Sequence, residues 1–312
     1  MSILQHFKGK GKSGFGYSST AEEVTDGLSL DGKTILVTGC NSGLGYETLR
    51  VLSLRGAQVV GAARTLDKAK TACAQAAKTS SGASPIPLEC ELSQPTSVRA
   101  CVAQIKKEGL KFDAILCNAG IMALPKLHQA FGLELQFFTN HIGHFMLVTG
   151  ILDQLNDQGR VVMLSSGAHN MAPRGGISFD NLSGEKEYRA WTAYGQSKMA
   201  NLLFSKELAR RLAGTSKTAN AVHPGVIPTP LGRNMNPIAQ KLFRTLTPLV
   251  LKTPQQGAAT QVYAAVHPKA AGISGSYFAD CNVASHRSDA NDPELARRLW
   301  DVSEKIAINL PG

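Results

Sequence analysis

Short apolar runs alternate with longer stretches of helical periodicity along most of this chain. Residues 34–37, 58–62, 86–90, 114–117, 161–165, 218–222 and 276–279 are compact apolar runs of strand length. Between and around them, 43–55, 66–78, 96–107, 131–155 and 194–212 place apolar residues at helical spacing. A last helix opens at Asp292-Pro293, with proline at an early helical position, and runs to about residue 306. Strands alternating with helices predict an α/β fold. Its core is one doubly wound parallel sheet of about seven strands, with helices on both faces and right-handed crossovers.

The two less regular segments are read separately. Residues 1 to about 18 are rich in Gly, Lys and Ser and read as a loose arm. The stretch Ser19-Thr20-Ala21-Glu22-Glu23-Val24 carries a capping box for a short helix. Residues 1–30 are thus expected to be a flexible arm with a short helix, and 31–312 a single domain without repeat or linker. Within it, 229–252 carries Leu231, Met235, Ile238, Leu242, Phe243, Leu246, Leu249 and Leu251 among Arg233, Lys241 and Arg244. This segment reads either as an amphipathic lid over an apolar substrate pocket or as a helix packed on the core or on a second copy.

Composition narrows the class. With 43% hydrophobic residues, 312 residues suffice for one sizeable core. No apolar run is long enough to span a bilayer, and the first twenty residues lack a signal-peptide core, so a cytoplasmic protein is expected. Lys and Arg total 33 against 23 Asp and Glu, a formal charge of +10. These cations are scattered apart from Lys8, Lys10 and Lys12, and no recognition motif accompanies them. They point to an anionic cofactor rather than nucleic acid. The six cysteines form no C-x-x-C pair and no ligand-spaced cluster, so they read as reduced thiols, and no metal is expected. Cys90 and Cys117 read as core filler. Cys40, inside a glycine-rich turn, reads the same way, with oxidation sensitivity as the alternative.

Chemistry concentrates at two places. Thr38-Gly39-Cys40-Asn41-Ser42-Gly43-Leu44-Gly45 follows a strand and opens a helix. In that setting glycines let backbone approach a pyrophosphate, and the helix N-terminus favours the anion. The next strand ends in Ala63-Arg64 with no acid for ribose hydroxyls; Arg64 suits a 2′-phosphate, so NADP(H) is favoured over NAD. Farther on, Tyr194 and Lys198 stand four residues apart on a helix, so phenol and ammonium share one face. A fixed cation beside a phenol is expected to lower its pKa and make it a proton donor and acceptor near neutrality.

Those two motifs, with Cys117-Asn118-Ala119-Gly120, Asn140-His141-Ile142-Gly143-His144-Phe145, Ser165-Ser166, His223-Pro224-Gly225 and Lys252-Thr253-Pro254-Gln255-Gln256-Gly257, resemble the short-chain dehydrogenase/reductase superfamily. Within it the chain is similar to the retinol-dehydrogenase-like branch, which also includes WW-domain oxidoreductase and related chloroplast proteins. The resemblance runs from about residue 15 to 306. It implies a Rossmann-type domain that moves hydride between NADP(H) and a carbonyl or alcohol. It also implies roles. Tyr194 would be the general acid and base, and Lys198 would hold the nicotinamide ribose. Ser166 would hydrogen-bond the substrate oxygen, and Asn140 would hold a water that relays protons through Lys198.

The cofactor would lie against Gly39, Asn41, Ser42, Gly43, Leu44 and Gly45, with Arg64 at its phosphate. Glu91 and Leu92 would flank the adenine, although Glu91 stands where the family often has Asp. Asn118, Ala119 and Gly120 would meet the ribose, and Pro224, Gly225, Ile227 and Thr229 the carboxamide. Pro228 has no N–H to give, which favours Ile227 as the backbone contact. His141, His144 and His169 read as structural.

The branch's substrates imply an apolar aldehyde, ketone or alcohol. The absence of the N-terminal anchor often found in animal retinol dehydrogenases favours a soluble reductase. Dimers or tetramers are common in the superfamily. Two other readings stay open: a non-catalytic NADP-binding sensor or scaffold, and a double-bond reductase of the protochlorophyllide-reductase kind.

Overall fold

The computed structural model describes residues 9–227 and 251–311. The expected lid, except for its last two residues, and Thr229 lie outside them. The strands are β1 (Thr34–Thr38), β2 (Gln58–Ala63), β3 (Ile86–Glu89), β4 (Phe112–Cys117), a small hairpin of β5 (Gln129–Ala130) and β6 (Leu133–Glu134), β7 (Leu155–Leu164), β8 (Thr218–His223), β9 (Tyr277–Ala279) and β10 (Asn282–Val283). The helices are α1 (Ala21–Val24), α2 (Gly43–Leu54), α3 (Leu66–Ala77), α4 (Pro95–Lys107), α5 (Leu135–Phe137), α6 (Gly143–Gly150), α7 (Ala190–Arg211), α8 (Pro254–Val266) and α9 (Pro293–Asn309).

Eight strands form one sheet in the order β10-β9-β8-β7-β4-β1-β2-β3, parallel except for β10. Alternation along each strand feeds two cores. On β1, Ile35 and Val37 join α2, α3 and α8 on one face, while Leu36 joins α4, α6, α7 and α9 on the other. The chain runs from β1 outward to β3, then returns to place β4 on the other side of β1. That reversal opens a crevice at the carboxyl ends of β1 and β4, the usual ligand position in such sheets.

Three expectations are corrected. The predicted helix 131–155 is interrupted and shorter. Phe131 and Gly132 both take positive φ (52° and 75°) to turn the β5–β6 hairpin, which no helix can pass through. Helix begins only at Leu135, where the Glu134 carboxylate accepts the Phe137 N–H at 2.8 Å. It then widens into a π-helical turn over Phe138–Ile142 before α6 and ends at Gly150. Secondly, the sheet has an eighth strand, joined to β9 by Asp280 and Cys281 at φ 51° and 62°. Hairpin turns of this kind are usually signalled by Asn-Gly or Asp-Gly, and Asp-Cys hides it.

Thirdly, residues 9–18 are not loose. Ser13 N donates to Asn282 Oδ1 at 2.9 Å, Asn282 Nδ2 donates to the Phe15 carbonyl at 3.1 Å, and Phe15 packs edge-on against Tyr263. The capping box of α1 forms as expected, with Thr20 Oγ1 on Glu23 N and Glu23 Oε2 on Thr20 N.

The last helix closes the α6–α7 face. Trp300 stacks on Phe204 at 5.4 Å between ring centroids, meets Phe145 edge-on at 5.0 Å, and is covered by the Arg211 guanidinium at 4.1 Å. Trp300→Ala empties this junction. It is expected to lower unfolding stability by about 3–5 kcal/mol in urea titration followed by circular dichroism.

Candidate active site

The crevice is a cavity of about 300 Å³. One wall is the turn from Gly39 to Gly45, and the other is Asn118-Ala119-Gly120 after β4. One hydroxyl joins the walls. Thr38 Oγ1 accepts the N–H groups of Asn118 and Ala119, each at 3.0 Å. With both lone pairs engaged, its proton goes to His144 Nε2 at 2.9 Å. His144 must then carry its own proton on Nδ1, which donates to the Asn140 carbonyl at 2.9 Å. Burial lowers the His144 pKa to about 4, so the ring stays neutral as this network requires.

The cavity suits a dinucleotide on three grounds. Gly45 is a cradle: a Cβ there would run into the Gly39 carbonyl and the Asn118 amide. The N-cap of α2, Ser42, makes no side-chain capping bond, so the helix's first N–H groups remain available to an anion. Thr139 Oγ1, in the cavity wall, is buried without a partner among the described residues. Arg64 lines the open end, half exposed and 3.9 Å from the Glu91 carboxylate. Glu91 is held in turn by the Ser93 backbone and hydroxyl at 3.1 and 2.8 Å.

Beyond the cavity's inner end stand the chemical groups. Ser166 follows β7 and caps the short turn Gly167–Met171, its Oγ accepting the Ala168 N–H at 3.1 Å. That turn packs on α7 because residue 195 is glycine: a Cβ there would meet the Ala168 carbonyl and the Ala172 nitrogen at 2.7 Å. Ser166 therefore reaches the Tyr194 phenol. Burial pushes the phenol up to about 12, and the Ser166 hydrogen bond opposes the rise. Lys198 Nζ lies 5.6 Å from the Tyr194 ring centroid and donates to the Leu164 carbonyl at 2.9 Å. Burial alone lowers its pKa to about 8. The phenol, expected to be depressed by its neighbour, is thus raised in the chain by itself, because desolvation outweighs the Ser166 hydrogen bond, while Lys198 faces the ring.

Asn140 sits in the π-helical turn with its side chain fully used. Oδ1 accepts Ile121 N at 2.8 Å, while Nδ2 donates to the Ile121 carbonyl and to Ser197 Oγ, both at 2.9 Å. It ties the β4 loop to α7 beside Lys198. Leu92 and Glu91 line the cavity as expected. Pro224, Gly225 and Ile227 follow β8 outside its lining, where Ile227 and Leu44 both pack against Gly257. His141 is buried, its pKa lowered to about 3 by desolvation, and His169 is held by the Ser166 carbonyl at 2.6 Å. No group of three metal-ligating side chains occurs among the described residues.

Sequence reasoning missed Lys68, Thr139 and Leu164, all in the cavity wall. Lys68 had a visible signal, a second cation four residues after Arg64. Thr139 had only its place beside Asn140. Leu164 acts through a backbone carbonyl, which side-chain chemistry does not announce.

Known proteins resemble this arrangement. The short chain dehydrogenase family model matches residues 33–239. The short-chain dehydrogenase TIC 32 B, chloroplastic, of Brassica napus is 40% identical over 321 residues, covering all of both chains. Human retinol dehydrogenase 14 is 38% identical over 292 residues, covering 88% of this chain and 86% of its own. Among solved structures, an uncharacterized protein from Mycobacterium paratuberculosis superposes with a TM-score of 0.73 at 33% identity, over 91% of this chain and 97% of that one. A short-chain type dehydrogenase/reductase from Mycobacterium marinum gives 0.63 at 26%, over 81% and 96%. A family match over more than half its length, with a relative of 40% identity spanning all of it, means that this chain belongs to the short-chain dehydrogenase family.

Proposed function

We propose that the protein is an NADP(H)-dependent oxidoreductase that reduces an apolar aldehyde or ketone, or oxidises the corresponding alcohol. The observation that carries this is the grouping of buried Tyr194 and Lys198 with Ser166, next to the Gly120 wall of a cavity that an uncapped helix N-terminus closes on the other side. The dinucleotide would be held by the Gly39–Gly45 turn, Asn118 to Gly120 and the Lys198 ammonium, and when bound it supplies or accepts the hydride. Tyr194, protonated over the neutral range, gives its proton to the carbonyl oxygen in reduction. Ser166 donates a hydrogen bond to that oxygen as charge develops. Lys198 as ammonium steadies the phenolate left behind. Asn140 holds the β4 loop against α7 and keeps these groups in register.

NADP(H) rather than NAD(H) is favoured by Arg64 and Lys68 at the open end, with no acid at the end of β2. An apolar substrate is favoured by the large exposed side chains near the phenol. Trp191 is 39% exposed and packs edge-on against Tyr194 at 6.2 Å, and Met171, beside Gly195, is 43% exposed. The relatives named for retinol point the same way. Six buried free thiols fit a reducing compartment such as the cytoplasm. No helix among the described residues is long and apolar enough to cross a membrane.

Following NADPH absorbance with a panel of carbonyls tests the reading. Tyr194→Phe is expected to lower kcat by at least about a hundredfold while NADPH binding, read by nicotinamide fluorescence, is retained. Equal turnover in the two proteins would refute the role. Arg64→Ala is expected to weaken NADPH binding about tenfold or more, with NADH affinity nearly unchanged.

The pH dependence follows from the shifts. Below pH 8 Lys198 is cationic and Tyr194 neutral, the pair that reduction needs. As pH rises through about 8 the ammonium is lost while the phenol keeps its proton, so kcat/KM for reduction falls there. In Lys198→Arg, whose guanidinium does not titrate in this range, that limb should move to much higher pH.

A further inference from the structure

A line of buried polar side chains connects the lysine to the last helix, and the chemistry above leaves it unused. The Leu164 carbonyl accepts from two side chains of α7, Lys198 Nζ at 2.9 Å and Asn201 Nδ2 at 3.1 Å. Asn201 is fully buried. Committing its NH₂ to that carbonyl fixes the amide's orientation, so Oδ1 points the other way. Oδ1 is buried without a hydrogen-bond partner, and so is Nδ1 of His141. Burial lowers the His141 pKa, and Asn201 is the side chain that pulls it back up, which places the amide against the ring. On the ring's far side His141 Nε2 lies 2.8 Å from Ser303 Oγ of α9. Ser303 donating to Nε2 leaves the ring proton on Nδ1, beside an Asn201 Oδ1 that likewise makes no hydrogen bond, while Asn201 Nδ2 donates to Leu164.

We propose that Asn201 is a positioning residue for Lys198, and that Ser303 and His141 carry its hold from α9 to the Leu164 carbonyl. The oxidoreductase reading underlies this in identifying Lys198 as the group worth positioning. The titratable groups that face the ammonium are Tyr194 from its own helix and His144 from α6, both neutral at pH 7 by burial. His141, also neutral, lies beyond Asn201. No acid forms an ion pair with Lys198 among the described residues, so the direction of one carbonyl sets where the ammonium rests. A carbonyl oxygen offers two lone pairs. Asn201 takes one and leaves the other aimed at Nζ.

The test uses the full chain and has two arms. In the first, [ε-¹⁵N]lysine NMR, assigned with Lys198→Met, reads the Lys198 pKa without turnover. Asn201→Asp puts a carboxylate at the amide's place and is expected to raise that pKa by about one unit or more; an unchanged pKa overturns the proposal. In the second, NADPH oxidation with nonanal is followed in Asn201→Leu, Ser303→Ala and the double variant. Ser303→Ala alone should lower kcat about threefold and add nothing in the Asn201→Leu background. Losses that multiply independently would overturn the line from α9. If Asn201→Leu does not fold, Asn201→Asp takes its place in the cycle. Wild-type protein that binds NADPH but reduces no carbonyl in a broad panel would sink the oxidoreductase reading, and the NMR arm would still decide the positioning.

Discussion

A lysine ammonium taken out of water, with no acid paired to it among the described residues, is the constraint on which this site is built. Burial favours the neutral amine and lowers the Lys198 pKa to about 8. What keeps the group in place is neutral: the Leu164 carbonyl at 2.9 Å. Ser165 Oγ donates to the Lys198 carbonyl at 2.8 Å and fixes the backbone on the other side. A carboxylate partner would have neutralised the charge and tied it down. Left unpaired, the charge remains available to the phenol and to a ribose. The same dryness raises the phenol to about 12, so the protein alone holds a proton donor rather than a phenolate.

The sheet supplies the rest by topology. Because the strand order reverses between β1 and β4, two loops diverge there and leave a crevice that no side chain of the described residues fills. Thr38 spans its floor, using both lone pairs on the loop after β4 and its proton on α6. Through His144 that hydroxyl is linked to Asn140, and through Asn140 to Ser197, one residue from Lys198. The cavity and the helix that carries Tyr194 are therefore braced by one hydrogen-bonded network. Displacing either end would disturb the other.

Much of this was legible in the sequence, for physical reasons that differ by element. Strands β1, β2 and β4 are buried on both faces, so they read as uninterrupted apolar runs. The glycine-rich turn was legible because the Gly39 carbonyl and the Asn118 amide leave no room for a side chain at Gly45. Tyr194 and Lys198 were legible as a helical pair, and the structure does bring them together with Ser166. The break before α5 was not, since the Phe131-Gly132 turn hides inside a helical apolar pattern. The docked segment 9–18 was missed because its anchors, Asn282 and Tyr263 among them, lie far away in sequence. The sign of the Tyr194 shift was missed because desolvation depends on three-dimensional burial, whereas the lysine's charge is visible from spacing alone.

The central claim is that these groups serve a hydride transfer to carbon with a proton delivered to oxygen. It is tested most directly by supplying NADPH deuterated on each face of C4 in turn, with a panel of apolar aldehydes, and weighing the alcohols. The account predicts one deuterium on the carbinol carbon from one face only. Tight cofactor binding with no deuterated alcohol from either face would contradict it.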